Sequence, residues 1–184
     1  ILRTAGTNCN YETQYAFEKA GATVDTVHIN TLLANKQLLE DYQILALPGG
    51  FTYGDDVSAG KILANQIKYN LEEDIETFIQ KKKLILGICN GFQTLVKAGL
   101  LPATDKMHQE ATLTYNDSNK FEARWVYLKI CSNKSAFIKD GDIPKMYLPI
   151  AHGEGKFVTQ DASILDSVTS HHQIVFQYVN EHNE

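Results

Sequence analysis

Residues 84–99 read LILGICNGFQTLVKAG, and no other stretch restricts what this 184-residue chain can fold into so tightly. Leu84, Ile85, Leu86 and Ile88 read as the end of a buried strand, and FQTLVKAG has the pattern of a helix. Cys89 stands at the joint, with Gly87 two residues before it and Gly91 two residues after. A strand that turns at once into a helix through G-x-C-x-G is the thiol form of a nucleophile elbow. The turn imposes strained backbone angles on the central residue, and small neighbours let the chain double back. A sulfur at a helix N-terminus has its thiolate favoured by the helix dipole. The next N–H, that of Asn90, points to where an oxyanion would form. The competing reading, a small cysteine packed under a sheet, does not explain the paired glycines.

The elbow is set in a repeating pattern. ILRT, YETQYAFEKAGA, TVDTVHI, a helix near LLANKQLLED, YQILALPGG, a long helix from about Val57 to Gln80 and the strand KLILGI alternate strand with helix. That alternation predicts a doubly wound, mostly parallel α/β sheet of flavodoxin-like type, covered on both faces. Ligands bind such sheets at the carboxyl ends of the strands, where LALPGGFTYGDD and LILGICNG both fall. After Pro102, EATLTYND, FEARWVYLKIC, KMYLPIAHGEGKF and QIVFQYV read as strands, with turns at NDSN and KDGD. In RWVYLKI, Val126, Leu128 and Ile130 alternate with Trp125, Tyr127 and Lys129, as in a half-buried strand. This half is an antiparallel excursion within a single domain spanning residues 1–184.

An oxyanion hole needs a second donor, and Gly49-Gly50 after a buried strand allows the backbone to turn an N–H inward, that of Gly50. Asp55 or Asp56 in the same loop can also cap the next helix. GTNCNYET places Cys9 after a strand and before a helix as well, but without paired glycines. Cys9 is therefore a structural or site-edge residue, with Thr7 or Asn8 as the helix cap, and Cys131, inside a strand, belongs to the core. GDDVSAGK, residues 54–61, departs from a phosphate loop in its glycine spacing and in having Ile62 where Ser or Thr is needed.

Three widely spaced cysteines fit reduced thiols in the cytoplasm better than a disulfide framework. The net charge of −5 and the absence of a basic cluster beyond Lys81–Lys83 argue against nucleic acid or an anionic membrane as partner. No apolar run reaches membrane-spanning length. Of six histidines, the adjacent His171 and His172 suggest no metal site, because neighbours on a strand point apart.

LPGGFTYGDD, GICNGFQ, the strand RWVYLK and AHGEGKF together resemble the class I glutamine amidotransferases. Within that class they are most similar to the glutaminases, whether subunit or domain, of phosphoribosylformylglycinamidine synthases. The resemblance implies a glutaminase of de novo purine biosynthesis. Cys89 attacks the amide carbon of glutamine, and a thioester and ammonia result. A synthetase, separate or fused, then uses the ammonia with ATP and Mg, so no cofactor is expected on this chain. Gly50 and Asn90 are the expected oxyanion donors, and Phe51, Gln93, His152, Gly153 and Glu154 the substrate-binding residues.

Spacing alone makes Cys89, His152 and Glu154 a triad, since His-x-Glu on a strand end points two side chains one way. The resemblance instead places the family's catalytic histidine and glutamate in a later Pro-His-Pro-Glu segment, which these residues do not include. The expectation is a chain incomplete at both ends, with His152 and Glu154 at the rim of the glutamine site. Two alternatives stand beside it. One is a docking or regulatory module of the same fold. The other is a cysteine hydrolase similar to DJ-1 and the intracellular proteases, which place histidine, not Asn90, after the nucleophile.

Overall fold

The computed structural model describes residues 1–103, 107–138 and 145–182. The turn expected at KDGD, residues 139–142, lies outside them. The chain divides into two compact units, Ile1–Gln109 and Glu110–Glu184, each described in its own right.

In the first unit, β1 (Leu2–Arg3) pairs in parallel with β2 (Val27–His28), and β3 (Ile44–Leu47) in parallel with β4 (Leu84–Gly87). Between these strands lie α1 (Asn10–Lys19), α2 (Ile29–Ala34), α3 (Lys61–Asn70) and α4 (Glu72–Gln80), and α5 (Asn90–Lys97) follows β4. The β-α alternation is thus as expected. Leu47, Ile67, Leu71, Ile75, Phe78 and Leu95 pack into one core over β3. Burying a side chain of this size is worth about 1.5–3 kcal/mol.

Several boundaries differ from the sequence reading. The long helix is two helices, broken at Leu71 (φ −127°, ψ 11°), and Val57 lies outside it and is exposed. The reason is local: Glu72, Glu73 and Asp74 form an acidic first turn that favours a new helix N-terminus. The helix near LLANKQLLED likewise breaks at Asn35 (φ −143°), after which Lys36–Asp41 continues as a 3₁₀ turn. Strand β4 is half-buried, and Ile88, expected inside, lies past the strand end and is exposed.

In the second unit, β5 (Ala111–Thr114) pairs antiparallel with β8 (Lys156–Thr159). Strand β6 (Glu122–Ile130) lies between β7 (Lys145–His152) and β9 (Phe176–Val179), antiparallel to both. The alternation read in RWVYLKI holds, with Val126 6% and Trp125 56% exposed. Trp125 stacks on Tyr147 at 5.1 Å between ring centroids, and Tyr127 lies 4.5 Å from the same ring. Helix α6 (Ala162–Ser170) was not anticipated. Asp161 caps it, accepting from the Ile164 N–H at 3.1 Å. His171 and His172 therefore end a helix instead of lying on a strand. Cys131 follows β6 and is exposed, its Sγ 3.1 Å from Gln177 Oε1, so the core assignment is corrected. Its position one past Ile130 turns it to the open face.

Candidate active site

The elbow takes the form its glycines imply. Cys89 has φ 54° and ψ −112°, which a non-glycine residue adopts only under constraint. It is exposed and stands immediately before α5. A Cβ on Gly91 would lie 1.9 Å from the Leu47 carbonyl oxygen, so only glycine lets α5 close down on β3. Asn90, the first residue of α5, has a backbone N–H with no acceptor within the helix.

The loop after β3 lies against the elbow. A side chain on Gly49 would meet Cys89 Cβ at 3.3 Å and Cys9 Sγ at 3.5 Å, which places both cysteines beside this loop. Gly50 has φ 140° and bridges to Thr7, and Phe51 donates its N–H to the Gly6 carbonyl at 2.9 Å. The Phe51 ring is 62% exposed. Asp55 accepts from the N–H of Gly60, the residue that opens α3, at 3.1 Å.

Cys9 fits the site-edge reading. Burial pushes its thiol pKa up, and Glu12 and Cys89 add to the effect, so the thiol is held protonated. Its Sγ–H donates to Asn8 Oδ1 at 3.2 Å. Thr7 Oγ1 accepts from Thr4 N–H and neither Thr7 nor Asn8 caps α1, which has no side-chain cap. The expected capping role is therefore corrected: the side chains are occupied within the turn that precedes the helix.

In the second unit, His152 is clamped. Asn116 Oδ1 accepts from the Gly155 N–H at 3.1 Å, and Asn116 Nδ2 donates to the carbonyls of Lys120 (2.9 Å) and His152 (2.8 Å). Because Oδ1 can only accept, the 2.9 Å contact with His152 Nδ1 makes that nitrogen the N–H donor. The other ring nitrogen, Nε2, is buried without a partner among the described residues. A Cβ on Gly155 would lie 2.2 Å from the ring. Asn116, His152, Trp125, Tyr127, Lys156 and Tyr178 help line a cavity of about 1100 Å³.

The structure thus brings Gly50, Phe51, Cys89, Asn90 and Gln93 together in one unit and places His152, Gly153 and Glu154 in the other. Sequence reasoning missed Thr52, Asn116 and Gly155. Asn116 was visible only as the first residue of the NDSN turn, which does form, with Asn119 N–H donating to the Asn116 carbonyl.

Fold and elbow define an α/β protein that presents an exposed cysteine between a parallel strand and a helix, the architecture of class I glutamine amidotransferases. The family model of the CobB/CobQ-like glutamine amidotransferase domain matches residues 1–184, and the chain belongs to that family. Phosphoribosylformylglycinamidine synthase subunit PurQ of Dehalococcoides mccartyi is 52% identical over 158 residues, covering 86% of this chain and 62% of that protein. The subunit of the same name from Archaeoglobus fulgidus is 42% identical, covering 98% of this chain and 72% of that protein. A solved structure described as PurLQS from Thermotoga maritima superposes with a TM-score of 0.74 at 30% identity, covering 98% of this chain and 73% of that one. The chain spans about two thirds of the length of these relatives. No helix among the described residues is long and apolar enough to cross a membrane.

Proposed function

We propose that this chain forms the glutamine site of a glutaminase that supplies ammonia for phosphoribosylformylglycinamidine synthesis. The observation that carries the reading is the exposed, backbone-strained Cys89 at the head of α5. In this reaction Cys89 Sγ attacks the side-chain amide carbon of glutamine, and the carbonyl π electrons move onto oxygen. The N–H groups of Gly50 and Asn90 receive that oxyanion. Its collapse breaks the C–N bond, nitrogen takes up the proton that the thiol gave up and leaves as ammonia, and a glutamyl thioester remains. Water then releases glutamate and restores the thiol.

Phe51 and Gln93, in the same unit as Cys89, are the residues this reading assigns to glutamine. The relatives named PurQ and the structure described as PurLQS support a synthetase partner that consumes the ammonia, and a cytoplasmic location goes with that pathway. The test is treatment with a glutamine-shaped electrophile and mapping of the adduct by mass spectrometry. The adduct is expected on Cys89. Labelling of Cys9 or Cys131 with Cys89 untouched would sink the assignment.

A further inference from the structure

A buried polar network joins the elbow to the loop after β3, and none of the reaction steps above uses it. Asn90 is 1% exposed and Thr52 3%. The Thr52 backbone N–H and its hydroxyl both reach one Asn90 side-chain atom, at 3.3 and 2.7 Å. A backbone N–H can only donate, so that atom is Oδ1. Nδ2 then donates to Asp55 Oδ1 at 3.0 Å and to Gln93 Oε1 at 3.3 Å. The amide accepts twice and donates twice, the full capacity of the group.

The loop it holds is strained. Tyr53, Gly54 and Asp55 have φ of 55°, 71° and 54°, and two of these are not glycine. Such residues cost about 1–3 kcal/mol each and persist where surrounding contacts over-determine them. One clamp is backbone, from Tyr53 N–H to the Ala5 carbonyl at 2.8 Å. The Asn90 amide is the second. Beyond the strained residues, Lys97 Nζ of the same helix donates to the Ala59 carbonyl at 2.7 Å.

We propose that the Asn90 side chain is a positioning residue. It locks the 50–55 loop to the elbow so that the Gly50 and Asn90 N–H groups face one point beside Cys89 Sγ. The proposal rests on the thioester reading above. With Asp55 as the facing acceptor it requires an amide at position 90, because aspartate cannot donate and leucine can neither donate nor accept.

The experiment compares two thiol reagents on this chain. A chloromethyl ketone on a glutamine skeleton reacts through a tetrahedral oxyanion before chloride leaves. Iodoacetamide alkylates sulfur by direct displacement and needs no oxyanion donor. Asn90→Asp sets a carboxylate against Asp55 and is expected to lower the chloroketone rate by about 10²–10³-fold, as loss of an oxyanion donor does, with far less effect on iodoacetamide. Thr52→Val, the milder variant, moves the ratio the same way.

The double variant Asn90→Asp/Asp55→Asn exchanges donor and acceptor. The amide introduced at position 55 would donate to the carboxylate introduced at position 90 while still accepting from Gly60, and the chloroketone rate should recover. An unchanged ratio in Asn90→Asp overturns the proposal, and so does an equal loss with both reagents that the double variant does not rescue. Failure of the glutamine reading is separable: the parent would then show no preference for a glutamine-shaped chloroketone over a plain one, while the reagent ratio would still follow the network.

Discussion

Replacing Asn116 by leucine isolates the clamp on His152. Leucine keeps the branching at Cγ and is the larger side chain, so no cavity forms, but four hydrogen bonds disappear: two donated by Nδ2 and two accepted by Oδ1. Asn116 is 8% exposed, so most of the stranded partners stay shielded from water. The Lys120 carbonyl sits in an exposed turn and regains water. Counting the other three at about 0.5–1.5 kcal/mol each puts the loss at roughly 1.5–4.5 kcal/mol. At about 2–4 °C per kcal/mol for a chain of this size, the Tm falls by roughly 3–18 °C. The more specific readout is the ring itself. Nitrogen-15 NMR of histidine-labelled protein should show His152 as the Nδ1–H tautomer in the parent and as a mixture in the variant. A Tm within about 1 °C of the parent, or a tautomer that does not change, would refute the reasoning that Asn116 fixes the ring.

Two further changes test other parts of the fold. Gly91→Ala places a Cβ 1.9 Å from the Leu47 carbonyl oxygen, backbone against backbone. It should cost at least the roughly 1–3 kcal/mol typical of overpacking, measured by urea unfolding, and a neutral result would mean that α5 does not press on β3. Asp161 is held below the usual carboxylate range, first by the Ser163 hydroxyl and then by the Ile164 N–H. A lowered acid pKa contributes stability that is present above about pH 4 and lost as pH falls through the lowered value. Amide protection factors in α6, exchange normalised to the intrinsic rate at each pH, should therefore be steady from neutral to weakly acid pH and fall in strong acid, whereas Asp161→Asn should flatten that profile by keeping an acceptor that does not titrate. A parent profile already flat in strong acid would count against it.

How much was legible depended on whether the signal was local. The elbow was readable because Gly87 and Gly91 mark a backbone constraint at fixed offsets from Cys89, and the strained φ of Cys89 follows from it. Val126 and Trp125 were placed correctly because a period of two needs no tertiary information. The break at Leu71 was written in the acidic run Glu72–Asp74, but the apolar pattern passes through the junction and hides it. Helix α6 carries its cap at Asp161 and apolar residues at Ile164, Leu165 and Val168. It was lost among strand-like neighbours. Cys131 and Ile88 were misplaced because burial at a strand end depends on what packs there, which composition does not state. Asn116 and Thr52 were invisible for a different reason: their importance lies in partners 36 and 38 residues away.

The residue after Cys89 bears on the competing readings of the elbow. A neutral histidine offers one donor and one acceptor, and a charged one offers two donors. Neither can accept from the Thr52 N–H and hydroxyl while donating to Asp55 and Gln93, as Asn90 does. An imidazole at position 90 would leave the buried loop with unpaired polar groups, at about 1–3 kcal/mol for each. The alternative reading, a cysteine hydrolase similar to DJ-1 and the intracellular proteases, expects histidine there. In this chain the same position is committed to holding a loop, so no imidazole is built into the elbow. His28, in the same unit, is engaged as well, its Nδ1 accepting from the Asn30 N–H at 3.2 Å. Under the proposed function, the side chain at position 90 is thus a loop contact and not a proton carrier.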